Sequence, residues 1–118
     1  MQTTIVVLQS DPTIASRIAG LLSDRLQFVH VASSVRELHS VVPQYRAGAA
    51  ILDVEASGLS EIEVLHREFP RLAIVCTHRV ADEEMWTSAL NAGASDMCPT
   101  SDTEGIVQSA LRNAEQPV

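Results

Sequence analysis

The regular alternation of two kinds of segment constrains the fold of this chain more than any other feature of its sequence. Short, mostly apolar runs, which are typical of strands buried on both faces, alternate with stretches whose apolar residues recur at helical spacing. The predicted strands are residues 4–9, 28–32, 49–54, 72–77 and 96–99. A strand–helix unit repeated five times predicts a parallel sheet that is covered by helices on both faces.

Right-handed crossovers leave few topologies for such a chain. We predict an α/β fold, a flavodoxin-like doubly wound five-stranded parallel sheet with five helices. With 118 residues, 46% of them hydrophobic, the chain is long enough to form one core. Because the sequence contains neither a linker nor an internal repeat, we predict a single domain over residues 1–118.

The charge balance argues against two classes of partner. Fifteen acidic residues against eight basic ones give a net charge of −7, whereas nucleic acids and anionic membranes attract clustered Lys and Arg. We therefore predict no nucleic-acid partner for this domain and no membrane partner. No apolar run is long enough to cross a bilayer, and the N-terminus lacks the features of a signal peptide. These observations lead us to expect a cytoplasmic protein.

The cysteines and histidines form no pattern of metal ligands. Cys76 and Cys98 both lie in apolar surroundings, so we interpret them as small buried hydrophobes in a reducing compartment. The four histidines are scattered, and no Cys/His cluster has the spacing of a zinc site.

In a parallel sheet of this kind, ligands bind beyond the carboxyl ends of the strands. The polar residues that we expect to converge there are Gln9, Ser10, Asp11, Asp53, Glu55, Thr77, His78, Arg79, Thr100 and Ser101. Asp53 is the most informative of them, because it directly follows the apolar run Ala-Ala-Ile-Leu. From its position alone, Asp53 is either a partly desolvated carboxylate facing a cleft or a helix-capping carboxylate.

Four segments together resemble the receiver domains of response regulators. AAILDVEASGLSEIEVL (residues 49–65) resembles the phosphoacceptor segment, with Asp53 at the phosphorylated Asp and Gly58 in the following loop. IVVLQSDP resembles the first strand and turn of the family, and IVCT and ALNAGASD resemble its fourth strand and the end of its fourth helix. The resemblance covers almost the whole chain in order, and it implies a CheY-like sheet.

The resemblance also implies a mechanism. In receiver domains the Asp carboxylate accepts a phosphoryl group from a histidine kinase in a two-component phosphorelay. Acidic residues after the first strand hold Mg²⁺, while the Thr hydroxyl and a Lys after the fifth strand hold the phosphoryl group. Here Asp53 is the candidate phosphoacceptor and Thr77 the candidate hydroxyl. The implied activity is at most self-phosphorylation from a phosphodonor, not a metabolic reaction.

Four positions depart from the family pattern, so we expect an atypical receiver. Gln9 and Ser10 occupy the positions of the acidic pair, Thr100 occupies the Lys position, and Met97 occupies the aromatic switch position. Mg²⁺ is usually held by one or two carboxylates. The remaining candidates for a weak Mg²⁺ site are Asp11, Asp53 and Glu55, although Asp11 before Pro12 suits a helix N-cap better.

Glu55 and Arg79 offer a compensating feature, because each lies two residues past a functional position. In the first interpretation, they form an ion pair that covers the pocket. In the second, Arg79 supplies the positive charge of the missing Lys. The third interpretation is two solvated loop charges that contribute little.

Two functional hypotheses from different classes follow. The first is a receiver that is phosphorylated on Asp53 by a histidine kinase. The second, which the four departures favour, is a pseudo-receiver that acts only by contact with signalling proteins. A dinucleotide or flavin binder lacks the required glycine-rich turn after the first strand.

The face formed by the fourth helix, the fifth strand and the fifth helix commonly dimerises or docks an output domain in receivers. We predict that this face carries Trp86 and Met97 and forms a homodimer or docks a partner. The alternative is that Trp86 packs against the edge of the domain's own core.

Overall fold

The computed structural model describes residues 3–25 and 27–114. The ends of the predicted domain, residues 1–2 and 115–118, lie outside the described residues. The strands are β1 (Thr4–Leu8), β2 (Phe28–Val31), β3 (Ala49–Asp53), β4 (Ala73–His78) and β5 (Asp96–Pro99). The helices are α1 (Pro12–Asp24), α2 (Val35–Gln44), α3 (Val54–Ser57), α4 (Ser60–Glu68), α5 (Glu83–Ala92) and α6 (Thr103–Ala114).

The strand order confirms the predicted fold. Within the described residues, the five strands form one parallel sheet in the order β2-β1-β3-β4-β5. This is the flavodoxin-like order, in which the polarity of the winding reverses beside β1. The pairing of β3 with β4 sets Asp53 beside Thr77. The sheet therefore brings the two main candidate residues together at its carboxyl edge.

Side-chain alternation along the strands divides the core into two layers. One face of the sheet packs against α2, α4 and α5, and the residues that form this layer include Val6, Leu52, Ile74, Leu38, Ile62 and Ala89. The other face packs against α1 and α6, with Val7, Ile51, Val75, Ile18, Leu22 and Ile106. Successive strand residues belong to different layers because their side chains point to opposite faces.

The N-caps explain where several helices begin. Asp11 Oδ1 accepts a hydrogen bond from the Thr13 N–H at 2.9 Å and caps α1, as predicted. Ser34 caps α2 in the same way, through the N–H of Glu37. Gly93 ends α5 in the left-handed region with φ +118°, which also agrees with the sequence.

The five predicted helices are present, and the structure adds one short element to them. A single helical turn, α3, occupies Val54–Ser57, where the sequence indicated the end of a strand and a loop. Asp53 Oδ1 caps this turn by accepting a hydrogen bond from the N–H of Glu55 at 2.9 Å. A segment of four residues is too short for apolar periodicity to reveal a helix.

The side chain of Met97 is buried and is not exposed on the face where the interface was predicted. Its side chain is 5% exposed and belongs to the core layer beneath α5. It lies on β5 beside Cys76 of β4, and side chains in the interior positions of a covered strand point into the core.

Both cysteines are free and buried, as predicted. They face opposite core layers, Cys76 towards α5 and Cys98 towards α6. Burial raises the pKa of the Cys76 thiol to about 12 and that of Cys98 to about 11. Such thiols are almost entirely protonated at neutral pH and therefore unreactive.

The described helices include none with the length and hydropathy that crossing a membrane requires.

An ion-pair cluster that the sequence did not reveal joins α2 to α4. The His39 ring lies between two carboxylates, with Nε2 at 2.6 Å from Glu61 Oε2 and Nδ1 at 3.0 Å from Glu68 Oε1. Burial of the ring opposes its charged form, but the two carboxylates outweigh this, and the pKa of His39 is raised above 6.5. The folded protein therefore favours the protonated ring.

We expect the stability that His39 contributes to be present at low pH and lost at high pH. Because the folded pKa is raised, this contribution is full below the unfolded value of 6.5 and disappears as the pH rises through the folded pKa. Partly exposed pairs of this kind contribute about 0.2–1 kcal/mol each. Urea unfolding of wild type and His39→Gln at pH 5.5 and 9 measures the effect. A difference between the two proteins that does not change with pH would contradict it.

Candidate functional site

An open cleft lies at the carboxyl edge of the sheet. Its volume is about 410 Å³, which exceeds the volume of a single bound water many times over. The cleft is lined by Gln9, Ser10, Asp11, Ile14, Asp53, Glu55, Arg79, Thr100 and Ser101. These include most of the polar residues that we expect to converge at this edge, but Thr77 and His78 are not among the residues that line the cleft.

Asp53 is buried at the end of β3 and is held by three hydrogen bonds. Asp53 is 2% exposed. Oδ2 accepts hydrogen bonds from the Ser10 N–H at 2.9 Å and from the Ser10 hydroxyl at 2.6 Å. Oδ1 accepts one from the N–H of Glu55 at 2.9 Å. Both interpretations of Asp53 therefore apply, because its carboxylate lines a cleft while largely desolvated and also caps a helix.

Gln9, directly after β1, contacts Thr77 of β4. The Gln9 side-chain amide donates a hydrogen bond to Thr77 Oγ1 at 3.0 Å, and Thr77 is fully buried. Among the described residues, Gln9 Oε1 and Thr100 Oγ1 are buried without a hydrogen-bond partner. A buried polar atom without a partner costs about 1–3 kcal/mol, so these two oxygens need an explanation.

Of the three interpretations of Glu55 and Arg79, the structure has the ion pair. Arg79 Nε lies 2.7 Å from Glu55 Oε2, and the Arg79 backbone N–H donates to Glu55 Oε1 at 2.8 Å. The backbone hydrogen bond and the guanidinium together lower the pKa of Glu55, while burial opposes them. The Arg79 side chain is 80% exposed. The pair joins the turn after β3 to the loop after β4.

The cleft is left with unbalanced negative charge. Three carboxylates (Asp11, Asp53 and Glu55) and a single guanidinium (Arg79) line it within the described residues. Arg79 is engaged with Glu55, and no ion pair to Asp53 is present among those residues. Thr100, which the resemblance aligns with the Lys of receiver domains, lines the cleft but carries no charge.

The residues at the cleft do not suit Mg²⁺. This ion requires near-octahedral coordination by oxygen at about 2.0–2.1 Å, usually including one or two available carboxylates. Asp11 Oδ1 caps α1, both oxygens of Glu55 accept hydrogen bonds from Arg79, and Ser10 donates twice to Asp53 Oδ2. In the part of the chain that the structure describes, no three His, Cys, Asp or Glu residues form a metal-binding group. Asp11, Asp53 and Glu55 therefore line one cleft, but their carboxylates are engaged by hydrogen bonds within the protein.

Trp86 lies on the surface of α5. Its side chain is 45% exposed, so packing against the edge of the core hides only part of the ring. Val80, in the loop before α5, is also exposed. An exposed Trp is typical of a contact surface.

Sequence reasoning missed how Ser10 and Gln9 act. The sequence predicts that both lie at the cleft, at the positions of the acidic pair, but it does not predict what they bind. In the structure Ser10 binds Asp53, which is 43 positions away, and Gln9 binds Thr77, which is 68 positions away. No local signal identifies such contacts.

Solved structures with the same fold are receiver domains of response regulators. A response regulator from Thermotoga maritima has a TM-score of 0.88 at 15% identity, and the match covers 98% of this chain and 100% of that chain. The BeF3-activated receiver domain of Klebsiella pneumoniae RstA has a TM-score of 0.83 at 21% identity, covering 96% and 99%. NtrX from Brucella abortus, in complex with ADP, has a TM-score of 0.86 at 22% identity.

The NtrX match covers 98% of this chain and 26% of that chain, so this chain spans about a quarter of NtrX. The sequence itself matches no family model and no curated protein. The strand order, the position of the cleft and the match over almost the whole chain agree with one another. The chain therefore has the fold of the response-regulator receiver domains.

Proposed function

We propose that this chain is an atypical receiver domain that passes a signal by contact with other proteins, without phosphorylation of Asp53. The observation that carries the proposal is the bonding of Asp53. Its Oδ2 atom accepts two hydrogen bonds from Ser10, and its Oδ1 atom accepts one from Glu55. The carboxylate of the candidate phosphoacceptor is thus already engaged by the protein itself.

Electrostatics supports the same conclusion. Phosphoryl transfer to a carboxylate brings negative charges together, so a receiver must supply cations to offset their repulsion. Here Gln9, Ser10 and Thr100 are neutral, and Arg79 is paired with Glu55. Mg²⁺ generally supplies part of this charge in receivers, but the residues at this cleft do not suit it.

The partner in this proposal is a signalling protein or a second copy of the chain. The candidate face consists of α5, β5 and α6, and Trp86 is its exposed aromatic residue. Aromatic residues are enriched at the centres of such interfaces. The net charge of −7 favours a basic partner over a nucleic acid or an anionic membrane.

One observation supports a second function. Asp53 lies beside Thr77 in the sheet and lines an open cleft, as a phosphoacceptor has to. In this case a histidine kinase phosphorylates Asp53 within a phosphorelay, with weakly bound Mg²⁺.

Acetyl phosphate distinguishes the two functions. We expect wild type incubated with acetyl phosphate and Mg²⁺ to gain no phosphoryl group by intact-mass spectrometry, because its pocket lacks the compensating charge. Asp53→Asn serves as the negative control. The triple variant Gln9→Asp, Ser10→Asp, Thr100→Lys serves as the positive control, since it introduces the acidic pair and the Lys. Labelling of wild type that disappears in Asp53→Asn would support the phosphorelay function instead.

A further inference from the structure

Asp53 is a buried carboxylate without a compensating charge. It is 2% exposed, and its three hydrogen bonds come from uncharged donors: the backbone N–H and hydroxyl of Ser10 and the backbone N–H of Glu55. Buried charges in proteins are normally paired with an opposite charge or bind a metal. The absence of an ion pair to Asp53 among the described residues therefore points to a cation that comes from outside the domain.

The chain has few groups of its own that could serve as this cation. It contains no lysine, because all eight of its basic residues are arginines. Arg79 is the arginine that lines the cleft within the described part of the chain, and both its backbone N–H and its Nε bind Glu55. The hydrogen bonds that engage the carboxylates of the cleft also argue against Mg²⁺ as this cation.

The acceptors that remain in the cleft match the donors of an ammonium group. Gln9 Oε1 and Thr100 Oγ1 have no partner among the described residues, and Asp53 Oδ1 accepts a single hydrogen bond. All three residues line the same cleft. A lysine ammonium carries three N–H donors on a flexible stem and no acceptor.

We propose that the Asp53 cleft receives the side-chain ammonium of a lysine from a partner protein. This inference rests on the proposed function, signalling by protein contact, and assigns the Asp53 cleft as one of its contact sites. A lysine rather than a free amine is favoured because the net charge of −7 attracts a basic protein surface.

Entry of the ammonium requires the cleft to open slightly. Gln9 Oε1 and Thr100 Oγ1 are closed off from solvent in the present state, which leaves them without partners. The Arg79 side chain is 80% exposed and bound to Glu55, so it can move without disturbing the core. Binding then replaces two unsatisfied oxygens and an unpaired carboxylate by hydrogen bonds to one cation.

An NMR titration tests the inference with n-butylammonium as the probe and n-butanol as its uncharged counterpart. We expect n-butylammonium to cause saturable shifts of the amides of Ser10, Asp53 and Thr100 at millimolar concentration, and n-butanol to cause none. Lysine blocked at its α-amino and α-carboxyl groups should bind as well as n-butylammonium, because the site receives a side chain.

Three variants identify the site. Asp53→Asn and Thr100→Lys should each weaken n-butylammonium binding at least tenfold, the first by removing the charge and the second by filling the cleft. Thr100→Lys should also raise the Tm, whereas Thr100→Met, of similar length but uncharged, should not. Asp24→Asn makes the same change in net charge at an exposed site on α1 and should leave binding unchanged.

Several results would overturn the inference. They are the absence of saturable shifts, equal shifts with n-butanol, binding of n-butylammonium but not of blocked lysine, and saturation by Mg²⁺ alone. These outcomes are separate from the acetyl phosphate result. A chain that is not labelled and does not bind the amine retains the proposed function but loses the lysine site.

Discussion

Replacing Ile74 by alanine is expected to lower the free energy of unfolding by about 2–5 kcal/mol, the usual cost of truncating a fully buried large aliphatic side chain. Ile74 is 0% exposed and lies on β4, between β3 and β5. Its removal leaves a cavity in the layer that also contains Leu52 and Ile62. Urea unfolding followed by far-UV circular dichroism measures the loss as a lower midpoint.

Val64→Ala is the matched control, because it truncates a β-branched side chain that is 39% exposed on α4. Surface substitutions of this kind change stability by about 0.5 kcal/mol or less. In the structure, α4 packs through Ile62 and Leu65. Equal losses of unfolding free energy in the two variants would contradict this packing.

Gly93→Ala is expected to destabilise the protein by about 1–3 kcal/mol, the range for strain at a left-handed position. Gly93 has φ +118°, and a Cβ atom there would lie 2.7 Å from Cγ of His66 and 2.8 Å from its Cβ. These atoms lie at the base of the side chain, so α4 itself would have to shift. Thermal unfolding monitored by circular dichroism should show a lower Tm.

Gly20→Ala is expected to have the opposite effect and raise the Tm in the same experiment. Gly20 lies within α1, and a Cβ atom there would meet nothing within 4 Å. Alanine should stabilise the helix by about 0.5–1 kcal/mol, because glycine loses more backbone entropy on folding. A stabilising Gly93→Ala would show that α5 does not end in the left-handed turn.

The fold was predictable because its signals are local. The apolar run before Asp53 identifies β3, and the caps Asp11 and Gly93 mark the ends of helices within a few residues. The short turn α3 was missed because four residues carry no periodicity. Met97 was misplaced because the family position gave its location on β5 but not the direction of its side chain.

The candidate site was predictable in its membership but not in its bonding. Parallel strands end at one edge of a sheet, so the residues following them had to gather there. Which of them bind one another depends on side-chain directions and separations. Glu55 and Arg79 were inferred as a pair because each follows a neighbouring strand, whereas the Ser10–Asp53 contact had no such precedent in the sequence.

The sequence by itself determined the parallel sheet, the buried strands, the place of Asp53 at the carboxyl edge and the missing charges at Gln9, Ser10 and Thr100. These follow from residue type, periodicity and order along the chain. The tertiary structure alone decided that Ser10 binds Asp53, that Gln9 binds Thr77, and that His39 joins α2 to α4. The physical reason is range: periodicity and capping act within a few residues, whereas these polar contacts form between side chains that only folding brings within hydrogen-bond distance.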